Sequence, residues 1–259
     1  MPGLDPFKLT ELVEKHVTRR TSTGIERRYY RFRGGKWYGG VATGDVVGCN
    51  LRCKFCWSWR YSYYVEKGQF QSPESAFNKL ILIANRYRYR YLRLSGGEPT
   101  IGLDHLYRLL ELVEDTRLYF ILETNGLLIG RNADDAGKLA KYSKLIVRIS
   151  FKGCTPEEFE YLTGAKSEHY EYQFLALENL YSSGLKPCKD FYPAVMLSFS
   201  SGESYGSFKR RLAEIHPSLV ECIDEEYVIL YPHVKELLRK NRLMPRIAYD
   251  PSGVPDFMI

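Results

Sequence analysis

No apolar run in this chain approaches the ~20 residues that a membrane-spanning helix needs. Its first residues, Met1 to Asp5, lack the basic-then-apolar pattern of an export signal. Low-complexity linkers, sequence repeats and shifts of composition are absent as well. The 259 residues, 44% of them apolar, are therefore expected to build one large core in a soluble, cytoplasmic protein with no membrane partner. Cysteine is scarce: six residues, scattered enough that a disulfide framework is not expected in a chain this long. Cys154, Cys188 and Cys222 stand singly, and the expectation for them is buried small hydrophobes. Cys154, just past a strand, would face the rim of the site if that strand is placed correctly.

The other three cysteines are close together, as Cys49-x-x-x-Cys53-x-x-Cys56, and no fourth lies near enough to close a metal shell. Structural zinc and ordinary iron–sulfur sites want four protein ligands. A three-thiolate loop leaves one coordination position free, where a small molecule can bind and react.

The net charge of +6 is concentrated in two basic-aromatic stretches, Arg27 to Arg33 and Arg86 to Tyr91. Cations that neutralise phosphates and rings that stack on bases would suit a nucleic acid. The preferred reading is a strand whose aromatics pack inward and whose arginines stay solvated. A modest positive balance suits an acidic small substrate or an acidic protein surface equally well.

Apolar spacing predicts a helix over Pro6 to Val17, capped by Asp5, and strand from Arg28 to Val47, broken by glycine turns. Beyond the cysteine loop, helix and strand alternate. Helices are expected from Ser72 to Arg86, Leu103 to Glu114, Ala133 to Tyr142, Glu171 to Ser182, Phe208 to Ile215 and Val234 to Arg242. A short one starts at the capping box Thr155-Pro156-Glu157-Glu158. Strands are expected at Tyr89 to Ser95, Leu118 to Glu123, Lys144 to Ser150, Phe191 to Phe199 and Tyr227 to Tyr231. The strands read as largely apolar on both faces, which implies a buried parallel sheet with helical crossovers, an α/β fold. Its expected parts are an N-terminal extension (1–40), a core (41–245) and a C-terminal tail (246–259).

Polar or glycine-rich loops follow the strands: the cysteine loop, Ser95-Gly96-Gly97-Glu98-Pro99, Glu123-Thr124-Asn125-Gly126, Ser150-Phe151-Lys152-Gly153 and Tyr231-Pro232-His233. In parallel α/β folds such loops share the C-terminal rim of the sheet, where ligands bind. Each loop alone has a structural explanation; five on one rim with a metal centre make one site. Gly96 and Gly97 would let a ligand approach the main chain, and Glu98 would either start a helix or accept from a ligand ammonium.

The segment Cys49-Asn50-Leu51-Arg52-Cys53-Lys54-Phe55-Cys56 resembles the signature of the radical SAM superfamily, in which an aromatic residue, here Phe55, precedes the third cysteine. Gly96-Gly97-Glu98-Pro99 resembles that family's Gly-Gly-Glu motif. The resemblance runs from about Val41 to His233. It implies a partial (β/α)6 barrel, open on one side, with a short N-terminal helix/strand extension. It implies a [4Fe-4S] cluster on Cys49, Cys53 and Cys56, whose fourth iron is chelated by S-adenosylmethionine. Gly96, Gly97 and Glu98 would hold the methionine ammonium and Phe55 would lie near the adenine. Reductive cleavage of the sulfonium would give a 5′-deoxyadenosyl radical that abstracts hydrogen from a substrate. An electron donor such as flavodoxin or ferredoxin is implied as a partner.

Within the superfamily the loops look most like those of glycyl-radical-enzyme activases, such as the pyruvate formate-lyase activating enzyme, and related archaeal proteins. That match implies that Lys152 pairs with the methionine carboxylate and that Glu123 helps hold the ammonium or a nearby cation beside Asn125. It implies that His233 contacts the ribose or adenine. Ser150 stands where activases carry an aspartate, which removes a charge. The absence of CxxC pairs after the core argues against an auxiliary-cluster domain. The substrate is left open among a protein glycine, a small molecule and RNA. Alternatives are an enzyme modifying RNA or a nucleotide, and a non-catalytic iron–sulfur or zinc module.

Overall fold

The computed structural model describes residues 3–22 and 24–259. The chain opens with α1 (Pro6–Val17), where the Asp5 carboxylate accepts the N–H groups of Phe7 and Lys8 as a cap. Its buried stripe includes Phe7, Val13 and Val17. A hairpin follows, β1 (Thr18–Thr21) against β2 (Gly24–Gly35), and β2 then pairs antiparallel with β3 (Val41–Val46). The expected strand stretch to Val47 is thus two strands, broken at the glycine turns as expected. A turn at Trp37–Gly39 separates them, with Gly40 at φ 124°, a backbone state that favours glycine.

After β3 come α2 (Trp59–Tyr63), a short β4 (Gln69–Gln71) on the far edge of β2, and α3 (Pro73–Tyr87). Alternation then follows the expected rhythm: β5 (Tyr91–Gly96), α4 (Leu103–Glu114), β6 (Tyr119–Thr124), α5 (Leu127–Arg131), α6 (Ala133–Leu139) and β7 (Leu145–Phe151). It continues through α7 (Pro156–Thr163), α8 (Glu171–Ser182), β8 (Phe191–Met196), α9 (Gly202–Ile215) and β9 (Asp224–Glu226). The six strands β3-β5-β6-β7-β8-β9 are parallel and stand side by side in chain order. Sequential order in one direction, with right-handed crossovers, keeps the helices on one face and leaves the other to curl inward. The path ends at β9 without returning to β1, so this is the expected (β/α)6 arrangement, open on one side.

The last expected strand is displaced. β9 completes the parallel set, whereas β10 (Val228–Ile229) pairs with β11 (Ala248–Tyr249) in a separate ribbon around α10 (Pro232–Lys240). Among the described residues no helix is long and apolar enough to cross a membrane.

The strands differ from expectation in one respect that creates the site. Two of them, β5 and β7, are not apolar on both faces, whereas β8 is. On β5, Leu92 and Leu94 enter the core while Arg93 and Ser95 face the inner cavity. On β7, Val147, Ile149 and Phe151 enter the core while Arg148 and Ser150 face inward. This is the period of two of a half-polar strand, applied to a parallel sheet.

One arginine of β2, Arg27, departs from expectation, for it is not solvated. Arg27 is fully buried and donates to the carbonyls of Ile101 (Nε, 2.8 Å), Glu98 (3.3 Å) and Val17 (3.4 Å). Burial lowers its pKa to about 10, which still leaves it charged at neutral pH. Arg28 donates to the carbonyls of His16, Glu66 and Gly68. Replacing Arg27 by methionine would take a donor from the carbonyls of Ile101, Glu98 and Val17. The expected cost is about 2–4 kcal/mol of unfolding free energy in denaturant titration; an unchanged midpoint would contradict the bracing role.

Candidate functional site

β3 leaves the sheet through Gly48, at φ 84°, into the cysteine loop. The Gly-Gly-Glu loop presses on it from β5. Gly97 N–H donates to Val46 O and Glu98 N–H to Gly48 O, each at 2.8 Å. A Cβ on Gly97 would lie 2.0 Å from Gly48 O, so only glycine permits this approach. The Glu98 carboxylate is taken up by protein: Oε1 accepts from Thr100 N–H (3.0 Å), Thr100 Oγ1 (2.7 Å) and Thr124 Oγ1 (2.7 Å), and Oε2 accepts from Asn125 N–H (2.8 Å). Asn125 in turn donates to Asn50 Oδ1 at 2.7 Å, and its Nδ2 stands 4.0 Å from Cys49 Sγ. Three loops from three strands are thereby fastened into one unit.

All twelve residues singled out in the sequence line one cavity of about 890 Å³: Cys49, Cys53, Phe55, Cys56, Gly96, Gly97, Glu98, Glu123, Asn125, Ser150, Lys152 and His233. Burial pushes the Cys49 thiol up to about 12, and raises those of Cys53 and Cys56 as well. Thiols in such surroundings hold their protons until a cation displaces them. Among the described residues, no group of three or more such side chains is arranged to hold a single metal ion. Sulfurs that each bind a different iron of a cluster need no such point. The donor chemistry, three clustered cysteines beside a glycine cradle, fits a cluster with one open iron.

Several placements refine the expected roles. Glu123 is engaged by Arg93 (2.9 Å), Ser95 Oγ (2.6 Å) and the Tyr38 hydroxyl (2.5 Å). Burial alone would raise its pKa, yet Arg93 and Arg148 outweigh that and lower it to about 2. Ser150 Oγ donates to the Glu226 carboxylate at 3.1–3.2 Å, and Lys152 Nζ reaches both Ser150 and Glu226. The negative charge missing at position 150 is therefore supplied by β9. His233 pairs its Nε2 with the Trp57 carbonyl at 2.8 Å, which fixes the chain just after Cys56. Phe55 packs on Phe199, ring centres 5.5 Å apart.

Two of the three lone cysteines are a correction. Cys188 and Cys222 form a disulfide, Cα atoms 5.5 Å apart, and do not behave as separate hydrophobes. Cys154 is a buried core residue, as expected, but it does not line the cavity. Its backbone N–H donates to Glu158, so the chain turns into α7 there and draws the thiol off the rim.

Sequence reasoning missed the inward charges: Arg93, Arg148, Asp224, Glu226, and the Tyr38 hydroxyl that reaches Glu123. Arg148 pairs with Asp224 (2.7 Å) and Glu226 (2.8 Å). For two strands the signal was present, as polar residues two apart within apolar strands: Arg93 and Ser95, Arg148 and Ser150.

The chain matches the Radical SAM superfamily over residues 45–195, and it belongs to that superfamily. Members bind a [4Fe-4S] cluster and S-adenosylmethionine. It is 24% identical over 187 residues to a probable GTP 3′,8-cyclase of Methanococcus vannielii, covering 72% of this chain and 59% of that protein. It is 33% identical over 81 residues to a putative glycyl-radical enzyme activating enzyme of Methanocaldococcus jannaschii, covering 31% of this chain and 29% of that one. The chain thus spans less than two thirds of the length of these relatives. Among solved structures, Streptococcus suis SuiB bound to S-adenosylmethionine gives a TM-score of 0.55 at 15% identity, covering 81% of this chain and 45% of that one. That likeness speaks for the fold.

The lowered Glu123 pKa has a defined sign. Its folded value of about 2 lies below the ordinary 4.5, so its stabilisation is complete above about pH 4.5 and drains away as pH falls toward 2. Thermal midpoints measured from pH 7 to pH 3 should fall more steeply for the parent protein than for Glu123→Gln. Parallel curves would show that the carboxylate contributes nothing.

Proposed function

We propose that the protein is a radical SAM enzyme acting on a small charged substrate inside the cavity. The observation that carries this reading is the wall itself. Ion-paired Arg93, Glu123, Arg148 and Glu226 line the same space as the three cysteines. A buried ion pair costs desolvation, and a wall of them is a poor investment for stability alone. It suits a polar molecule whose groups exchange with those pairs.

Cys49, Cys53 and Cys56 would hold the cluster, and the main chain at Gly96 and Gly97 would take the methionine end of S-adenosylmethionine. When bound, cluster and cofactor supply a reducing electron and a cleavable carbon–sulfur bond, and with them hydrogen-atom abstraction. The protein's part is positional. Glu98, with its carboxylate spent on Thr100, Thr124 and Asn125, would fix the cradle. Lys152, set against Glu226, would pair with the methionine carboxylate. Phe55 would give the adenine an apolar face, and His233 would hold the loop that carries Trp57. The paired charges would orient substrate and keep bulk water from the reacting atoms. The electron would come from a one-electron donor of flavodoxin or ferredoxin type.

A nucleotide-like substrate is in keeping with the relative named as a probable GTP 3′,8-cyclase. The activase reading draws on the shorter match to a putative glycyl-radical enzyme activating enzyme, and on Thr124-Asn125-Gly126 at the end of β6.

Anaerobic reconstitution with iron and sulfide, reduction and addition of S-adenosylmethionine should yield 5′-deoxyadenosine by mass spectrometry. Cys53→Ala should lose cluster absorbance and product while keeping the far-ultraviolet circular dichroism of the parent. A fully loaded, reduced cluster that gives no product would overturn the reading.

A further inference from the structure

Arg31 and Arg33, on β2, converge on one acid. Asp45 Oδ2 accepts from Arg31 Nε at 2.7 Å and from Arg33 Nε at 2.8 Å, and Oδ1 accepts from an Arg33 terminal nitrogen at 3.2 Å. The Asp45 side chain is wholly shut off from solvent, whereas the side chain of Arg31 is 46% exposed and that of Arg33 is 23% exposed. One carboxylate neutralises one guanidinium, so this corner carries a surplus positive charge. Farther along the wall each cation has a carboxylate of its own: Arg93 with Glu123, Arg148 with Asp224, Lys152 with Glu226. Trp57, next to Cys56 in the chain, lies 5.9 Å from the Arg31 guanidinium and 5.8 Å from that of Arg33. All three side chains line the cavity that holds the cysteines.

We propose that Arg31, Arg33 and Trp57 form a subsite that docks an oxyanion of the substrate, a phosphate or a carboxylate. Asp45 holds both forks in place beforehand, so the entropy of ordering two long side chains is already spent when the anion arrives. Guanidinium forks match the paired oxygens of either group and engage them through charge-assisted hydrogen bonds. The buried acid also prevents the two like charges from repelling each other apart. The subsite deepens the substrate reading above and rests on it for the identity of the chamber.

Calorimetric titration of the full chain, carrying cluster and S-adenosylmethionine, with pyrophosphate and separately with malonate tests the assignment. One-to-one binding of at least one anion is expected, weakened about tenfold or more in Arg31→Gln, where Arg33 still pairs with Asp45. Arg86→Gln, on the exposed end of α3, should bind as the parent does. Tighter pyrophosphate identifies a phosphate subsite, and tighter malonate a carboxylate subsite. Binding of neither, or unchanged binding in Arg31→Gln, overturns the proposal. Trp57→Phe supplies a second readout: the anion-induced change in tryptophan emission should vanish while the heat of binding persists. An unaltered emission change would put the anion elsewhere and overturn it too. Deoxyadenosine formation is scored independently. Anion binding without product sinks the enzyme reading alone, and product without anion binding sinks the subsite alone.

Discussion

The Glu98 carboxylate is the tie on which the site depends. It receives four hydrogen bonds from Thr100, Thr124 and Asn125, and its own main chain is braced from both sides, the N–H by Gly48 and the carbonyl by Arg27. A buried carboxylate is tolerable only when so satisfied. The arrangement puts the ends of β3, β5 and β6 in fixed relation before any ligand is present. That is what preorganisation means physically: the geometry is paid for by folding.

Around that tie, the sheet separates two kinds of work by parity. On β5 and β7 alternate residues pack the core, and the residues between them carry polar groups and charge into the cavity. The apolar half makes the core that offsets the cost of ordering the chain. The polar half is stable only as pairs, because an unpartnered charge at this depth would be costly. The two halves share the same backbone, so the register of the strands sets both the core and the charge pattern at once.

Much of this was legible from residues alone. The cysteine spacing, the Gly-Gly-Glu loop and the alternation of elements pointed to the superfamily and to one rim, and the twelve singled-out residues do share one cavity. What escaped reading involved partners distant in sequence. Nothing local to Arg27 says that a carbonyl 74 residues away awaits it. Nothing local to Cys188 announces Cys222, 34 residues on. The short β9, whose sequence is Asp-Glu-Glu, has no apolar signature and is a strand only because β8 offers it an edge. In the run Arg27 to Arg33, Tyr29 packs inward as expected and Arg31 keeps much of its surface in solvent, whereas Arg27 is buried among carbonyls that no local pattern announces.

The exchange between Ser150 and Glu226 has a mechanical side. Position 150 lies on β7, flanked by strands on both sides, but the carboxylate that serves it comes from a three-residue strand at the margin of the sheet. Marginal strands are held by one neighbour and open more readily than interior ones. The charge balance around Lys152 therefore rests on a strand with one neighbour, and the Cys188–Cys222 bridge ties the chain down two residues before that strand begins.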